Sequence, residues 1–80
     1  MQVLLFGRLR DVAGWRERSF DPSATHISAL KALIGADDAA LAAALEAPGV
    51  RVSVDRMLVK GDAALHPKAE VAFLPPMSGG

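Results

Sequence analysis

The residues with the clearest chemical potential lie in the C-terminal stretch FLPPMSGG, at positions 73–80. Gly79 and Gly80 carry no side chain, so the main-chain carboxylate of Gly80 can enter a narrow site that a Cβ would block. Pro75 and Pro76 favour extended backbone and cannot donate to a sheet ladder, so the chain must leave the fold there. Two interpretations stay open: a frayed, inert end, or an extended tail whose terminal carboxylate is the reacting group.

Other reactive residue types are scarce. The chain has no cysteine, which excludes a thiolate nucleophile and a disulfide. His26 and His66 are isolated from each other in sequence, and two lone imidazoles do not make a metal site. The sequence also lacks a phosphate-binding glycine-rich loop and a transferable Ser, His, Asp signature. We therefore predict no autonomous active site, no metal site and no bound cofactor.

Composition limits the class of protein. A chain of 80 residues buries only about 60% of its unfolded surface, which is enough for one core. It is 51% hydrophobic and 22% charged, with a formal net charge of zero, so neither disorder nor binding to nucleic acid or anionic membranes is expected. No stretch approaches the roughly 20 apolar residues of a membrane span, and the start is too short and interrupted for a secretory signal. We expect a soluble, cytoplasmic protein.

The first quarter of the chain predicts two strands. Residues 2–9 form a dense apolar run, which favours a strand. The turn-prone segment RDVAGW, at 10–15, bounds that run. The charged segment RERSF, at 16–20, suggests an exposed edge strand that ends at Asp21-Pro22.

Two helices are predicted next. The better defined one begins after Thr25, whose hydroxyl can cap it, and is expected to stop at Gly35. Its apolar residues recur at helical spacing: Ile27, Leu30, Leu33 and Ile34. A second, alanine-rich and shorter helix is expected after Asp37 and Asp38, with Leu41 and Leu45 on one side.

The remaining sequence changes to a period of two. Valines alternate with polar residues over 50–54, which is typical of a strand with one buried face. Asp55 and Arg56 can turn the chain back into a strand over 57–60, and a last strand is expected over 70–74. A helix between an N-terminal hairpin and later strands, in so short a chain, favours a mixed sheet packed on one helix.

One face of that sheet should remain uncovered. If Val3 and Leu5 face the helix, Leu4 and Phe6 point the other way, and the same parity places Leu74 beside them. Each large apolar side chain left in water forgoes about 1.5–3 kcal/mol of burial. A contiguous apolar patch of this kind usually marks an interaction site. The alternative, that loops cover this face, is left open by the sequence.

The tail FLPPMSGG, together with the strand RVSVDRMLV, resembles the small subunits of molybdopterin synthase, which are ubiquitin-like sulfur carriers. The resemblance runs over the whole chain, and PPMSGG is its most specific part, because a bare Gly-Gly is shared with ubiquitin-like modifiers and other carriers. It implies an α+β, ubiquitin-like β-grasp fold, with a mixed β-sheet packed on one main helix plus a short helix. The domain would span 1–80, with 75–80 as its extended tail. One departure is HPKAEVAF, which lacks the Gly-Asp turn common before the last strand.

The resemblance also implies a reaction. A ubiquitin-activating-enzyme-like adenylyltransferase would activate the Gly80 carboxylate with ATP, and a sulfur donor protein would convert it to a thiocarboxylate. The tail would then enter the large subunit of molybdopterin synthase, in a heterotetramer of two small and two large subunits. Sulfur would pass to cyclic pyranopterin monophosphate and form the dithiolene of molybdopterin. The chain itself would bind no cofactor.

Individual residues take roles by the same resemblance. Gly80 is the sulfur-carrying residue, and Phe6, Leu58 and Leu74 are apolar contacts to the large subunit, with Arg10 as a polar contact. The rest of the tail would thread into the partner: Pro75, Pro76, Met77, Ser78 and Gly79. The alternatives are a sulfur carrier for thiamine or tRNA thiolation, a ubiquitin-like protein modifier, and an interaction domain with an inert tail.

Overall fold

A five-stranded mixed sheet and three helices make up residues 1–76, the part of the chain that the computed structural model describes. In chain order the elements are β1 (Gln2–Leu5), α1 (Arg8–Ala13), β2 (Glu17–Ser19), α2 (Ile27–Asp37), α3 (Ala39–Leu45), β3 (Arg51–Val54), β4 (Met57–Val59) and β5 (Glu70–Leu74). None of these helices is long and apolar enough to cross a bilayer.

The strands lie in the order β2-β1-β5-β3-β4. The central pair, β1 and β5, is parallel, with Val3 opposite Val71, and the other neighbours are antiparallel. Because β5 lies at the centre, its three middle residues are buried whichever face they point to: Val71, Ala72 and Phe73. This explains why β5 is apolar both at the positions that face the helices and at the positions that face away from them. The topology confirms the predicted α+β, β-grasp fold.

The core lies between one sheet face and the helices. Val3 and Leu5 of β1 are buried there, as strand parity predicted, and the face of α2 with Leu30 and Ile34 packs against them. The short α3 contributes two more buried leucines, as expected, at Leu41 and Leu45. Leu33, which the helical spacing also placed in the core, is only partly buried.

The segment after β1 corrects the predicted strand over 2–9 and the predicted turn over 10–15. The strand ends at Leu5, and Arg8–Ala13 is the short helix α1, which buries Leu9. Gly14, which suggested a turn, has left-handed φ 80° and donates its N–H to the Arg10 carbonyl at 2.8 Å. It is the glycine that ends the helix, a role in which glycine is common.

The start of α2 is held by a residue distant in sequence, and the predicted cap at Thr25 is wrong. The N-cap position is occupied by His26, and the Thr25 hydroxyl lies 3.1 Å from the His26 Nδ1 instead. The free N–H of Ser28 donates to Asp62 Oδ1 at 2.7 Å, and the Ser28 hydroxyl donates to Oδ2 at 2.8 Å. These bonds lower the pKa of Asp62, the backbone one most strongly, because they favour its charged form.

The end of α2 also differs from expectation, because the helix continues through Gly35 to Asp37. Gly35 allows α2 and α3 to approach closely: a Cβ there would lie 3.1 Å from the Cβ of Ala42. Asp38 then caps α3, accepting the N–H of Leu41 at 3.0 Å. The glycine thus marks a helix contact rather than a helix end.

The predicted turn between β3 and β4 is confirmed. Asp55 and Arg56 have φ values of 50° and 70°, which is the two-residue hairpin geometry normally filled by Asn-Gly. Before β5, the chain turns at His66–Ala69, with the Ala69 N–H donating to the His66 carbonyl at 3.0 Å. Pro67 takes the second turn position, which it favours, so no Gly-Asp pair is needed.

Candidate functional site

The sheet face opposite the helices, hereafter the open face, is apolar, and its exposed side chains lie toward its ends. Strand register aligns Leu4, Ala72, Ser53 and Leu58 in one row across β1, β5, β3 and β4. Ala72 and Ser53, in the middle of the row, are buried, and Leu4 is partly buried. Leu58, at the β4 end, is 59% exposed. Strand parity alone thus predicted the existence of this face.

Phe6 and Arg10 lie close together at one end of the open face. Phe6 follows β1 and is 42% exposed, and its N–H donates to the Phe73 carbonyl at 3.3 Å. It lines a shallow cavity of about 240 Å³ with Arg10, which α1 carries, and with Leu4, Arg16 and Glu17. An apolar ring beside two guanidinium groups and one carboxylate can receive a partner surface that is apolar at its centre and polar at its rim.

Leu58 is separated from this end of the open face. β4 and β1 are three strand spacings apart, or about 14 Å. Leu74 lies between them, partly buried at the end of β5 and opposite Arg51 of β3. The predicted contact residues therefore form a band across the open face instead of a single cluster.

The first two residues of the tail, Pro75 and Pro76, hereafter the stem, leave the sheet beside Phe6. β5 ends at Leu74, and Pro75 and Pro76 follow as partly buried and exposed residues outside any strand. Since β1 and β5 run parallel, the residues that follow both strands lie at the same end of the sheet. The predicted roles of the rest of the tail fall outside the described residues: Met77, Ser78, Gly79 and Gly80.

The two histidines serve local structure. His66 Nδ1 accepts the N–H of Lys68 at 3.3 Å, so its Nε2 carries the proton and donates to Asp55 Oδ2 at 2.6 Å. Asp55 also accepts the Glu70 N–H at 3.0 Å, and this bond, followed by the one from His66, lowers the pKa of Asp55. The pair ties the hairpin to the start of β5, at the opposite end from the stem. Residues 1–76 contain no group of three His, Asp or Glu side chains that could hold a metal ion.

Two features of the site do not follow from the sequence pattern. Met57 is 73% exposed on β4, and register turns it to the opposite side from Leu58. Helix α1 carries Arg10 to the edge of the open face, in a segment where the pattern predicted a turn. The flanking glycines, Gly7 and Gly14, were the available signal for a short helix bounded at both ends.

Two crystal structures of Haloferax volcanii small archaeal modifier protein 1 (SAMP1) share the fold. The first has a TM-score of 0.78 and 24% sequence identity, and the match covers 99% of this chain and 97% of that chain. The second has a TM-score of 0.77 and 21% identity, and covers 95% of each chain. No curated protein sequence matches the chain.

The family assignment comes from the whole sequence. A model of the ThiS family matches residues 3–80. This range contains the whole sheet apart from Gln2, the first residue of β1, and it contains the complete Pro-Pro-Met-Ser-Gly-Gly tail. With its β-grasp topology, the chain therefore belongs to the ThiS family of ubiquitin-like sulfur carriers.

Proposed function

We propose that this chain is the sulfur-carrier small subunit of molybdopterin synthase in molybdenum cofactor biosynthesis. The observation that carries the proposal is an apolar sheet face with exposed side chains at Phe6 and Leu58, whose edge at Phe6 adjoins the Pro75-Pro76 stem. A carrier of this kind needs both a docking surface and a chain end that reaches beyond it. Family membership supports the sulfur-carrier part, and the PPMSGG tail supports the molybdopterin pathway.

The chemistry would occur at the Gly80 carboxylate. A carboxylate is a poor electrophile until one oxygen becomes part of a good leaving group. A ubiquitin-activating-enzyme-like adenylyltransferase would join that oxygen to AMP and release pyrophosphate from ATP. A persulfide sulfur on the donor protein would then attack the carbonyl carbon and displace AMP, which gives an acyl disulfide. A second thiol would cleave its S–S bond, forming a new disulfide with the donor cysteine and releasing the thiocarboxylate.

The second half-reaction would take place in the large subunit, in a cytoplasmic heterotetramer of two small and two large subunits. The tail would place the thiocarboxylate sulfur next to cyclic pyranopterin monophosphate, where a fixed position raises its effective concentration. Phe6, Leu58 and Leu74 would bury apolar area against the partner, and Arg10 would make a polar contact. Each fully buried apolar side chain contributes about 1.5–3 kcal/mol.

A protein modifier is the second candidate, because both solved structures are small archaeal modifier proteins. At 24% and 21% identity these matches support the fold and leave the reaction open. Both functions begin with adenylation of the terminal carboxylate. They differ in the next nucleophile: a sulfur atom in a carrier, or a lysine amine of a target protein in a modifier.

Mass spectrometry of the intact chain separates the candidates. After incubation with the adenylating enzyme, ATP and a sulfur source, we expect a mass gain of one oxygen-to-sulfur exchange, located at Gly80. A variant lacking Gly80 should keep its circular dichroism spectrum and gain no sulfur. Isopeptide-linked products with lysine-containing proteins would instead favour the modifier.

A second stage tests the pathway. The thiocarboxylated chain is mixed with the large subunit and cyclic pyranopterin monophosphate, and dithiolene formation is followed. A thiocarboxylate that forms but yields no molybdopterin would overturn the molybdopterin proposal and point to a carrier for thiamine or tRNA thiolation.

A further inference from the structure

Two glycines lie against the two prolines of the stem. A Cβ built on Gly7 would lie 2.8 Å from Cγ of Pro75, and one built on Gly49 would lie 3.0 Å from Cβ and 3.3 Å from Cγ of Pro76. Carbon atoms in good contact are about 3.5–4.0 Å apart. Neither position can therefore hold a larger residue unless the stem moves.

The topology brings these glycines together from distant parts of the chain. Gly7 follows β1, and Gly49 precedes β3. Both strands are neighbours of β5, one parallel and the other antiparallel to it. The loop after β1 and the loop before β3 consequently lie at the end of the sheet where β5 becomes the stem.

Both glycines also have backbone conformations that other residues seldom adopt. The φ angle is 57° at Gly7, with ψ −137°, and 87° at Gly49. Such positions favour glycine for conformational reasons. Here the lack of a Cβ also opens room for a proline ring, so the two requirements coincide.

We propose that Gly7 and Gly49 form a slot that grips Pro75 and Pro76 and fixes the direction in which the tail departs. The inference rests on the proposed carrier function and adds positioning residues to it. A proline has little freedom about φ, so gripping the two rings limits the directions open to the residues that follow. Such preorganisation lowers the entropy cost of inserting the tail into a partner.

The chain supplies its own controls. Gly14 and Gly61 also have positive φ, at 80° and 65°, but within the described part of the chain a Cβ at either would meet nothing within 4 Å. Alanine at each of the four glycines adds backbone strain, whereas only in Gly7→Ala and Gly49→Ala would the new Cβ collide with a proline of the stem. Comparing the pairs separates the stem contact from the strain that a positive φ alone imposes on alanine.

Tail direction can be measured on the free protein. Because the chain has no cysteine, Ser78→Cys gives a single site for a nitroxide label, whose broadening of backbone amide signals reports where position 78 resides. We expect Gly7→Ala and Gly49→Ala to change the pattern of broadened amides, and Gly14→Ala and Gly61→Ala to keep the parent pattern. A pattern in either stem-facing variant identical to that of the controls would overturn the role of that glycine.

The ψ angle of Gly7 makes its strain larger than that of Gly14, so a double-mutant cycle provides a further check. Pro75→Ala removes the Cγ that the new Cβ would meet. If the collision matters, the loss of melting temperature in Gly7→Ala should be partly recovered when Pro75→Ala is added. Additive losses would show that backbone strain alone is responsible and would remove Gly7 from the slot.

The kinetic consequence is tested with the adenylating enzyme. Misplacement by about 1 Å can cost up to 100-fold in rate, so we expect kcat/KM for adenylation to fall by as much as that in Gly7→Ala and Gly49→Ala. The two control variants should keep the parent value. If the parent chain is not adenylated at all, the proposed function fails, while the label measurement still decides whether the slot exists.

Discussion

At the scale of single residues, Asp55 joins three parts of the hairpin region through polar contacts. Its N–H donates to the Glu70 carbonyl at 2.8 Å, and its carboxylate accepts from both the Glu70 N–H and the His66 ring. It does so with φ at 50°, a region that Asp and Asn tolerate better than most residues. One side chain thus fixes the hairpin, the loop before β5 and the start of β5.

The pKa of Asp55 gives a pH test of this role. The Glu70 N–H and the His66 ring lower the pKa in the folded state below the ordinary 3.8. A lowered folded-state pKa stabilises the fold above the unfolded value, and that contribution is lost as the pH falls through the folded one. Asp55→Asn keeps the shape and removes the charge, so we expect it to be less stable than the parent at neutral pH.

The same reasoning predicts how the difference changes with acid. In urea unfolding, the gap in unfolding free energy between the parent and Asp55→Asn should narrow as the pH falls from neutral to about 3. Glu17→Gln, on the exposed strand β2 and away from the hairpin, serves as the control. Parallel pH curves for the parent and Asp55→Asn would contradict the assigned role of the carboxylate.

The turn at Asp55-Arg56 was predictable from the sequence, but the contacts of Asp55 were not. A two-residue break between alternating segments is a local signal. His66 and Glu70 lie 11 and 15 residues away, and nothing in the local pattern relates them to the turn. The role of Asp62 is hidden for the same reason, because it caps α2 across 34 residues of sequence.

At the scale of elements, the sequence predicted which segments are regular better than where they end. Apolar spacing found α2 and α3, since each buries a stripe along its own length. Gly35 was misinterpreted as a stop because glycine at a helix end and glycine at a helix contact look alike in sequence. Only the position of α3, with Ala42 facing Gly35, separates the two roles.

The contact between α2 and α3 can be tested with Gly35→Val. Valine improves on glycine in helix propensity by a few tenths of a kcal/mol. Its Cβ would start 3.1 Å from Ala42 Cβ, and overpacking of this kind costs about 1–3 kcal/mol. The cost of overpacking exceeds the gain in helix propensity, so we expect a net loss of about 1–2 kcal/mol in the free energy of unfolding.

Ala36→Val, at the exposed neighbouring position of α2, is the matched control for Gly35→Val. It changes helix propensity at an exposed position, so its free energy of unfolding, measured by urea unfolding, should fall by no more than about 0.7 kcal/mol. If Gly35→Val proved as stable as the parent, the two helices would not be in close contact at this position.

At the scale of the whole molecule, the open face was predictable because strand alternation is a local rule that fixes which side each residue faces. That rule alone is sufficient to place Phe6 and Leu74 on it. Leu58 was placed in the band only by resemblance, because its position depends on the register between β4 and β3. The slot at the stem could not be found in the sequence, because its two glycines lie in different loops, one after β1 and the other before β3. Only the pairing of both strands with β5 brings these loops together.

The proposed docking surface can be tested at β4, where two exposed apolar side chains are adjacent but face opposite ways. Leu58 is 59% exposed on the open face, and Met57 is 73% exposed on the other side. Burying one large apolar residue contributes about 1.5–3 kcal/mol, so Leu58→Asp should weaken association with the proposed partner, the large subunit, by roughly 10-fold to 150-fold. Met57→Asp should leave association unchanged.

Isothermal titration calorimetry with the purified large subunit measures both affinities, and thermal unfolding followed by circular dichroism checks that the two variants remain folded. Both substitutions introduce the same charge on the same exposed strand, so general effects on solubility and edge-strand stability cancel in the comparison. Equal affinities for Leu58→Asp and Met57→Asp would mean that the partner does not bind to the open face. The docking surface would then have to lie elsewhere, and the tail alone would determine which enzyme the carrier meets.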